Sequence, residues 1–315
     1  MVKATAGIHH ITAFVRSAQD TTDFYSGILG LRLVKKTINF DAPEVYHLYF
    51  GDEVGHPGTA ITFFPWPESR RGIVGNGQVG ITTYAIPEGS MDFWEERLKK
   101  FNVSFTERTR FSEKSLHFAD KDGLQIELVE RKGPRSTWSF GGVPVDKAIM
   151  GFGGAVLYST APKDTEMVLE SVLGLEKIGV EGGYARYKGF GEIGNIIDLN
   201  IGSVPAGKAG SGTVHHIAWR AKDDADHAEW RTKVSASGLH PTPVVDRQYF
   251  NALYFREPGG ILFEIATDPP GFTRDEPLEQ LGEKLMLPPW YEDHRELIEK
   301  NLEQFEVRVL KEDQE

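Results

Sequence analysis

Apolar and polar positions alternate over residues 7–16 (GIHHITAFVR), the period of a strand with one buried face. Helical spacing then takes over, with Phe24, Ile28 and Leu31 on one stripe, Ser17 or Asp20 as the cap, and Gly27 and Gly30 at the end. Two further apolar stretches follow, 46–50 and 60–64, parted by a turn at Pro57 and Gly58. The same order of strand, helix and two or three strands returns three times. It runs from GITTYAI at Gly80 through a helix over 91–101, a strand over 115–119 and LQIELVE. It runs from GGAVLYS at Gly153 through 164–173, 184–188 and 195–201, and from VHHIAWR at Val214 through 224–238, 252–255 and ILFEIATD. The first and third helices both end in Leu-Gly-Leu, at 29–31 and 173–175.

This pattern predicts an α+β fold of four βαβββ modules, at about 7–66, 78–131, 150–203 and 212–268, forming curved mixed β-sheets covered by helices. Glycines and serines between modules two and three (Gly133, Ser136, Ser139, Gly141, Gly142) suggest a division into an N-terminal domain over 1–135, a linker over 136–149 and a C-terminal domain over 150–268. The remaining 269–315 predicts a helical tail: Leu278, Leu281 and Leu285 on one amphipathic helix, and Leu297, Ile298, Leu302 and Phe305 on a second opened by Pro288-Pro289.

Composition narrows the function. The 315 residues are 40% hydrophobic and 26% charged, an ordinary globular balance. A net charge of −11 argues against nucleic acid and anionic membranes as partners. The first residues lack an apolar signal-peptide stretch and no segment is apolar enough to span a bilayer, so a cytoplasmic protein is expected. Cysteine is absent, which leaves any metal to histidine and carboxylate.

Four of the ten histidines fall at one point of the repeat: His9-His10-Ile11-Thr12 opens module one and His215-His216-Ile217-Ala218 opens module four. Glu264 lies on the last strand of module four, four residues after Gly260, and Glu127 stands four after Gly123 in module two. With Thr83 and Gly154 read at the histidine position of modules two and three, Glu127 lacks partners and is expected in an ordinary salt bridge or a residual polar contact. Pairing module one with module four gathers His10, His216 and Glu264 in one cup. Pairing one with two, and three with four, would leave two ligands in each cup. Two histidines and one carboxylate suit divalent first-row metals and are the arrangement typical of non-haem Fe(II) oxygenases, with coordination positions left open.

The modules, the HHIT and HHIA strands and the FEIATD ending resemble the vicinal oxygen chelate superfamily, and within it the ring-cleaving dioxygenases that open hydroquinones and chlorinated hydroquinones. The likeness covers essentially the whole chain. It implies His10, His216 and Glu264 as iron ligands and His9, Thr12, His215, Arg247 and Tyr254 as outer residues that serve catalysis. The last two lie 17 and 10 residues before Glu264, as in the family pattern. Strict strand alternation would turn His9 and His215 away from the ligands, into hydrogen-bonded core positions. Tyr254 reads equally as a core aromatic and Arg247 as half of a surface ion pair, while Phe14, Phe63 and Phe64 are either cavity walls or core.

The resemblance implies Fe(II) as the cofactor; Mn(II) suits the same ligands, and Zn or Ni can occupy the site in purified protein. It implies a small aromatic diol and O2 as partners, and a homo-oligomer is compatible with it. Three alternatives stay open: an extradiol catechol dioxygenase, a glyoxalase-type isomerase or lyase with four ligands, for which Thr62 is a weak fourth, and a non-enzymatic small-molecule binder on the same fold.

Overall fold

Each module contributes four strands, one more than the apolar pattern of some of them discloses; the computed structural model describes residues 3–314. Module one supplies β1 (Ile8–Val15), β2 (Arg32–Asn39), β3 (Ala42–Gly51) and β4 (Ala60–Pro65). Module two supplies β5 (Gln78–Pro87), β6 (Phe105–Arg110), β7 (Glu113–Ala119) and β8 (Gln125–Arg131). Module three supplies β9 (Gly151–Tyr158), β10 (Glu176–Glu181), β11 (Tyr184–Lys188) and β12 (Ile196–Asn200). Module four supplies β13 (Thr213–Ala221), β14 (Val245–Asp246), β15 (Phe250–Arg256) and β16 (Leu262–Pro270).

Helices α1 (Ala18–Thr22), α2 (Met91–Lys100), α3 (Pro162–Met167) and α4 (Asp224–Ala236) follow the first strands. Ser17 caps α1 by accepting the Asp20 N–H. Both α1 and α3 widen into a π-helical turn, Asp23–Ile28 and Val168–Val172, before the shared Leu-Gly-Leu. The glycines of that motif, Gly30 and Gly174, adopt φ of 74° and 70°, which explains why glycine ends both helices.

The strands form two eight-stranded sheets, ordered β14-β15-β16-β13-β1-β4-β3-β2 and β10-β11-β12-β9-β5-β8-β7-β6. Within a module the first strand pairs in parallel with the last, as β1 does with β4 and β13 with β16. Between modules the first strands pair antiparallel, β1 with β13 and β5 with β9. Modules one and four therefore share one sheet, and two and three the other. The expected division at 136–149 is crossed by both sheets, since each takes one module from 1–135 and one from 150–268. That segment is itself packed: Val143, Ala148 and Ile149 are buried, and the Arg32 guanidinium lies 4.8 Å over the Trp138 ring.

One face of the first sheet carries Ile11, Phe63, Ile217, Phe263 and Ile265 into the main core, with Trp219 and Trp230. The other face carries small residues, Ala60, Ala218, Ala252 and Ala266, bordered by Tyr49, Tyr249, Phe250 and Phe272. Alanines on a concave face leave room for a ligand.

The two cups close differently. In the second sheet the edges meet directly: the Phe111 N–H donates to the Glu181 carboxylate at 2.7 Å. In the first, residues 272–287 run across the gap. Fully buried Lys35 pairs with Glu276 and, at 2.7 Å, with Asp275, and Tyr249 donates to Asp275 at 2.9 Å.

The tail forms fewer helices than its leucines suggest. Leu278–Gln280 is a single 3₁₀ turn, and among the described tail residues only α5 (Arg295–Asn301), entered through the 3₁₀ turn Pro289–His294, is an α-helix. Pro277 blocks extension on one side. On the other, Gly282 has φ of 79° and passes so close to Leu33 that a Cβ would lie 1.9 Å from its carbonyl oxygen. Among the described residues no helix is long and apolar enough to cross a membrane.

Candidate metal centre

The β1–β13 register resolves the alternation problem posed by the histidine pairs. Ile8 stands opposite Trp219 and His10 opposite Ala218, so His9 is an extra residue on β1. Thr12 stands opposite His216 and Ala13 opposite Val214, so His215 is the extra residue on β13. Each histidine pair thus sits on a β-bulge, which breaks the two-residue period and brings both rings of a pair into contact. The bulges are related by the local two-fold that pairs Ile11 with Ile217.

His10, His216 and Glu264 converge on the floor of the first cup, their ligand atoms all within 4.8 Å of one another. The two Nε2 atoms are 3.2 Å apart, and Glu264 Oε2 lies 2.8 Å from His216 Nε2 and 3.4 Å from His10 Nε2. All three side chains are buried. Neither carboxylate oxygen of Glu264 has a conventional hydrogen-bond donor. Burial pushes the Glu264 carboxyl up, but the imidazoles of His10 and His216 outweigh it and hold it well below the usual range. Burial pushes His216 down. A neutral imidazole beside an ionised, underserved carboxylate is the charge state that a divalent cation requires. The donor set fits a first-row divalent metal.

The neighbouring histidines differ from one another. His9 Nδ1 lies 2.9 Å from His10 Nδ1, and His9 Nε2 lies 3.1 Å from the Thr267 carbonyl. The carbonyl can only accept, so His9 Nε2–H donates to it. His9 Nδ1 then accepts from His10 Nδ1–H, which aims the His10 Nε2 lone pair at the centre. His215 Nδ1 approaches His216 Nδ1 at 2.7 Å in the same way, but its Nε2 faces a cavity. Burial, then His216, pushes His215 down to about 3.

That cavity, about 310 Å³, has aromatic walls from Phe14, Phe40, Phe64, Trp66 and Phe250. Phe63 is absent from it and packs in the main core, 4.4 Å from the Tyr25 ring. Arg247 and Tyr254 both line the cavity, joined by an Arg247 Nε–H to Tyr254 Oη bond of 3.0 Å. Tyr254 stands opposite Glu264 across β15 and β16. Burial, then the Glu264 charge, pushes its hydroxyl up, so it stays protonated.

Thr12 bonds His216 Nε2 at 2.8 Å and Thr62 at 2.7 Å. Thr62 continues to His47 Nε2 at 2.8 Å, and His47 Nδ1 to Tyr49 Oη at 2.8 Å. Thr62 is therefore engaged by two side chains and is not free as a fourth ligand. His47 and Tyr49 were not among the candidate residues. Their signal was alternation in Tyr46-His47-Leu48-Tyr49-Phe50, which puts His47 and Tyr49 on the face opposite the core positions Leu48 and Phe50.

The second cup has no such centre among the described residues. Its register places Ile81, two residues before Thr83, at the position of His10, because Thr83 stands opposite Glu127 as Ala218 stands opposite Glu264. Glu127 forms the expected salt bridge, to Arg110 at 2.6 Å. Arg110 also holds Asp198 at 2.6 Å, and Arg186 holds Asp198 at 2.7 Å and Glu113. Only about 10 Å³ remains, room for one water.

Residues 7–128 and 163–265 match the family model described as Glyoxalase/Bleomycin resistance protein/Dioxygenase superfamily. The chain belongs to this superfamily. Among its members, the Bacillus subtilis (strain 168) protein named "Putative ring-cleaving dioxygenase MhqO" is 58% identical over 98% of this chain and 100% of its own length. The "Chlorohydroquinone/hydroquinone 1,2-dioxygenase" of Sphingobium indicum is 37% identical over 91% of this chain and 92% of its own. A crystal structure titled as a putative dioxygenase from Bacillus subtilis superposes with a TM-score of 0.97 at 57% identity, over 98% of this chain and 100% of that one. Glyoxalase I from Zea mays shares the superfamily fold, with a TM-score of 0.64 at 14% identity over 88% of this chain and 97% of that one.

Proposed function

We propose that this protein is a non-haem Fe(II)-dependent ring-cleaving dioxygenase of the extradiol type that opens hydroquinones next to a hydroxyl. The observation that carries the reading is the face of two imidazoles and one carboxylate at the floor of an aromatic-walled cavity. The relatives named for ring cleavage and for hydroquinone support it. His10, His216 and Glu264 would hold the metal. Bound there, Fe(II) supplies a common site for a ring oxygen and dioxygen, turning a slow bimolecular oxidation into an exchange within one complex. Both oxygen atoms end in the product, so no outside reductant is consumed.

The protein's own groups bind and orient the ring. Phe14 and Phe64 present faces on which an aromatic ring can stack, and the aromatic walls keep bulk water away. His215, whose Nδ1 accepts from the His216 Nδ1–H, carries its own proton on Nε2 and donates it in a hydrogen bond to an oxygen of the bound ring as negative charge develops there. Arg247 and Tyr254 present N–H and O–H donors toward developing negative charge. His9 acts through the ligand beside it, by fixing the His10 ring, while the Thr12 hydroxyl borders the metal-facing His216 Nε2 and is held by Thr62.

The test is oxygen uptake by protein loaded with Fe(II) under nitrogen and then given methylhydroquinone in aerated buffer, with catechol in parallel. Stoichiometric uptake with a ring-opened chromophore is expected, faster with the hydroquinone. Faster catechol turnover would reassign the substrate. No uptake from either, with iron bound, would overturn the dioxygenase reading in favour of an isomerase or a binding protein.

A further inference from the structure

Resting on the reading just given, the geometry points to Asp41 as the residue that makes the cavity select uncharged dihydroxybenzenes against ring carboxylates. Asp41 sits on the turn between β2 and β3, whose residues 39–42 form part of the cavity wall. Its carboxylate pairs with Arg247 Nη2 at 2.9 Å, across the mouth of the cup. Histidines and the metal-facing Glu264 aside, Asp41 and Arg247 are the only side chains charged at neutral pH among the described residues that line the cavity. The Arg247 side chain is 19% exposed and that of Asp41 is 71% exposed, so the acid covers the base from the solvent side.

The turn is held in place by the tail. Tyr291 donates to the Phe40 carbonyl at 3.1 Å, and Trp290 meets the Phe40 ring edge-on at 5.7 Å between centroids. Asn39 closes the turn by accepting the Asp41 N–H at 3.0 Å. Asp41 is thereby presented to Arg247 by a braced element.

An arginine in an aromatic cavity is a ready receptor for a carboxylate, because its planar fork matches the two oxygens. Here two of its three nitrogens are already engaged, Nε–H on Tyr254 and Nη2 on Asp41. A ring bearing a carboxylate would either displace Asp41, leaving that acid unpaired beside it, or share the guanidinium with it, leaving two anions on one cation. A neutral ring meets a mouth whose charges cancel and pays no such penalty. Because the pair is partly solvated, the discrimination is modest, on the order of tenfold rather than thousands.

The experiment compares methylhydroquinone with 2,5-dihydroxybenzoate in wild type, Asp41→Asn, Asp41→Glu and the double variant Asp41→Asn/Arg247→Met. Affinity is read by calorimetry under nitrogen on the metal-loaded protein, and kcat/KM by oxygen uptake. Asp41→Asn should raise the affinity ratio of carboxylate to neutral ring about tenfold, Asp41→Glu should keep it near the wild-type value, and the double variant should cancel the gain. Parallel changes for both ligands, or a gain that persists without Arg247, would overturn the assignment. The calorimetric ratio decides it whether or not oxygen is consumed, so failure of the dioxygenase reading is seen separately.

Discussion

His9 and His215 occupy the same position of the repeat, yet His9 Nε2 ends on the Thr267 carbonyl at 3.1 Å while His215 Nε2 opens on the cavity. Matching bulges therefore produce two different residues. The first is tied off by the backbone and can only orient its neighbour; the second keeps a nitrogen for a ligand.

This difference separates their variants. His9→Gln should weaken metal binding about 10- to 100-fold, the usual cost of losing an orienting partner, with turnover recovering at saturating metal. His215→Gln should weaken metal binding to a similar degree, because His215 also orients a ligand, and in addition lower kcat about 10²- to 10⁴-fold even at saturating metal. Metal titration followed by oxygen uptake distinguishes the two; identical behaviour would remove the asymmetry.

Loss of His10, His216 or Glu264 as alanine should abolish metal retention after gel filtration, read by elemental analysis. Added Fe(II) or Mn(II) should raise the melting temperature of wild type, since a ligand at about 1,000 times its Kd contributes about 4 kcal/mol, and should leave Glu264→Gln unmoved. An equal rise in both proteins would place the metal elsewhere.

The buried histidines predict acid sensitivity. His215 titrates near 6.5 when unfolded and at about 3 when folded, and burial pushes His9 and His47 down as well. The unfolded chain binds more protons in this window, so stability is complete above pH 6.5 and falls as pH drops toward 3. At pH 5 His215 alone should cost about 2 kcal/mol, with His9 and His47 adding in the same direction, seen as a falling denaturation midpoint of the metal-free protein. His215→Gln should flatten that slope; an unchanged slope would show that His215 is not a source of it.

In the second cup, Glu127→Gln leaves Arg110 buried with one of its two acids missing. Breaking such a pair should destabilise the protein by about 3 kcal/mol by urea denaturation, with metal content unchanged. A loss of metal in this variant would contradict the separation of the two cups.

Where apolar residues alternate, the elements were legible: the helix-side core residues and the convergence of modules one and four both follow from pattern and residue counts. The missed strands are edge strands, and two of them have little to hide. Phe105–Arg110 and Glu176–Glu181 are mostly exposed and carry charged residues, so no apolar face announces them. Arg32–Asn39 reads as basic, and its Lys35 is buried only because Asp275 and Glu276 come from more than 200 residues away. The histidine pairs were visible as chemistry but not as geometry, because a bulge is a property of two strands in register and neither strand shows it alone. Asp41 was hidden for a similar reason: its meaning lies in Arg247, on a different module.

The second sheet carries the same bulges with different occupants: Gly80 and Gly153 stand where the first sheet has His9 and His215. Beside them, at the position of His216, Gly154 has φ of 150°, and a Cβ there would lie 2.1 Å from the Ile196 carbonyl oxygen. No single substitution can restore a side chain at that point without moving the strand. A metal centre could be rebuilt in this half only by first re-routing the strand at Gly154.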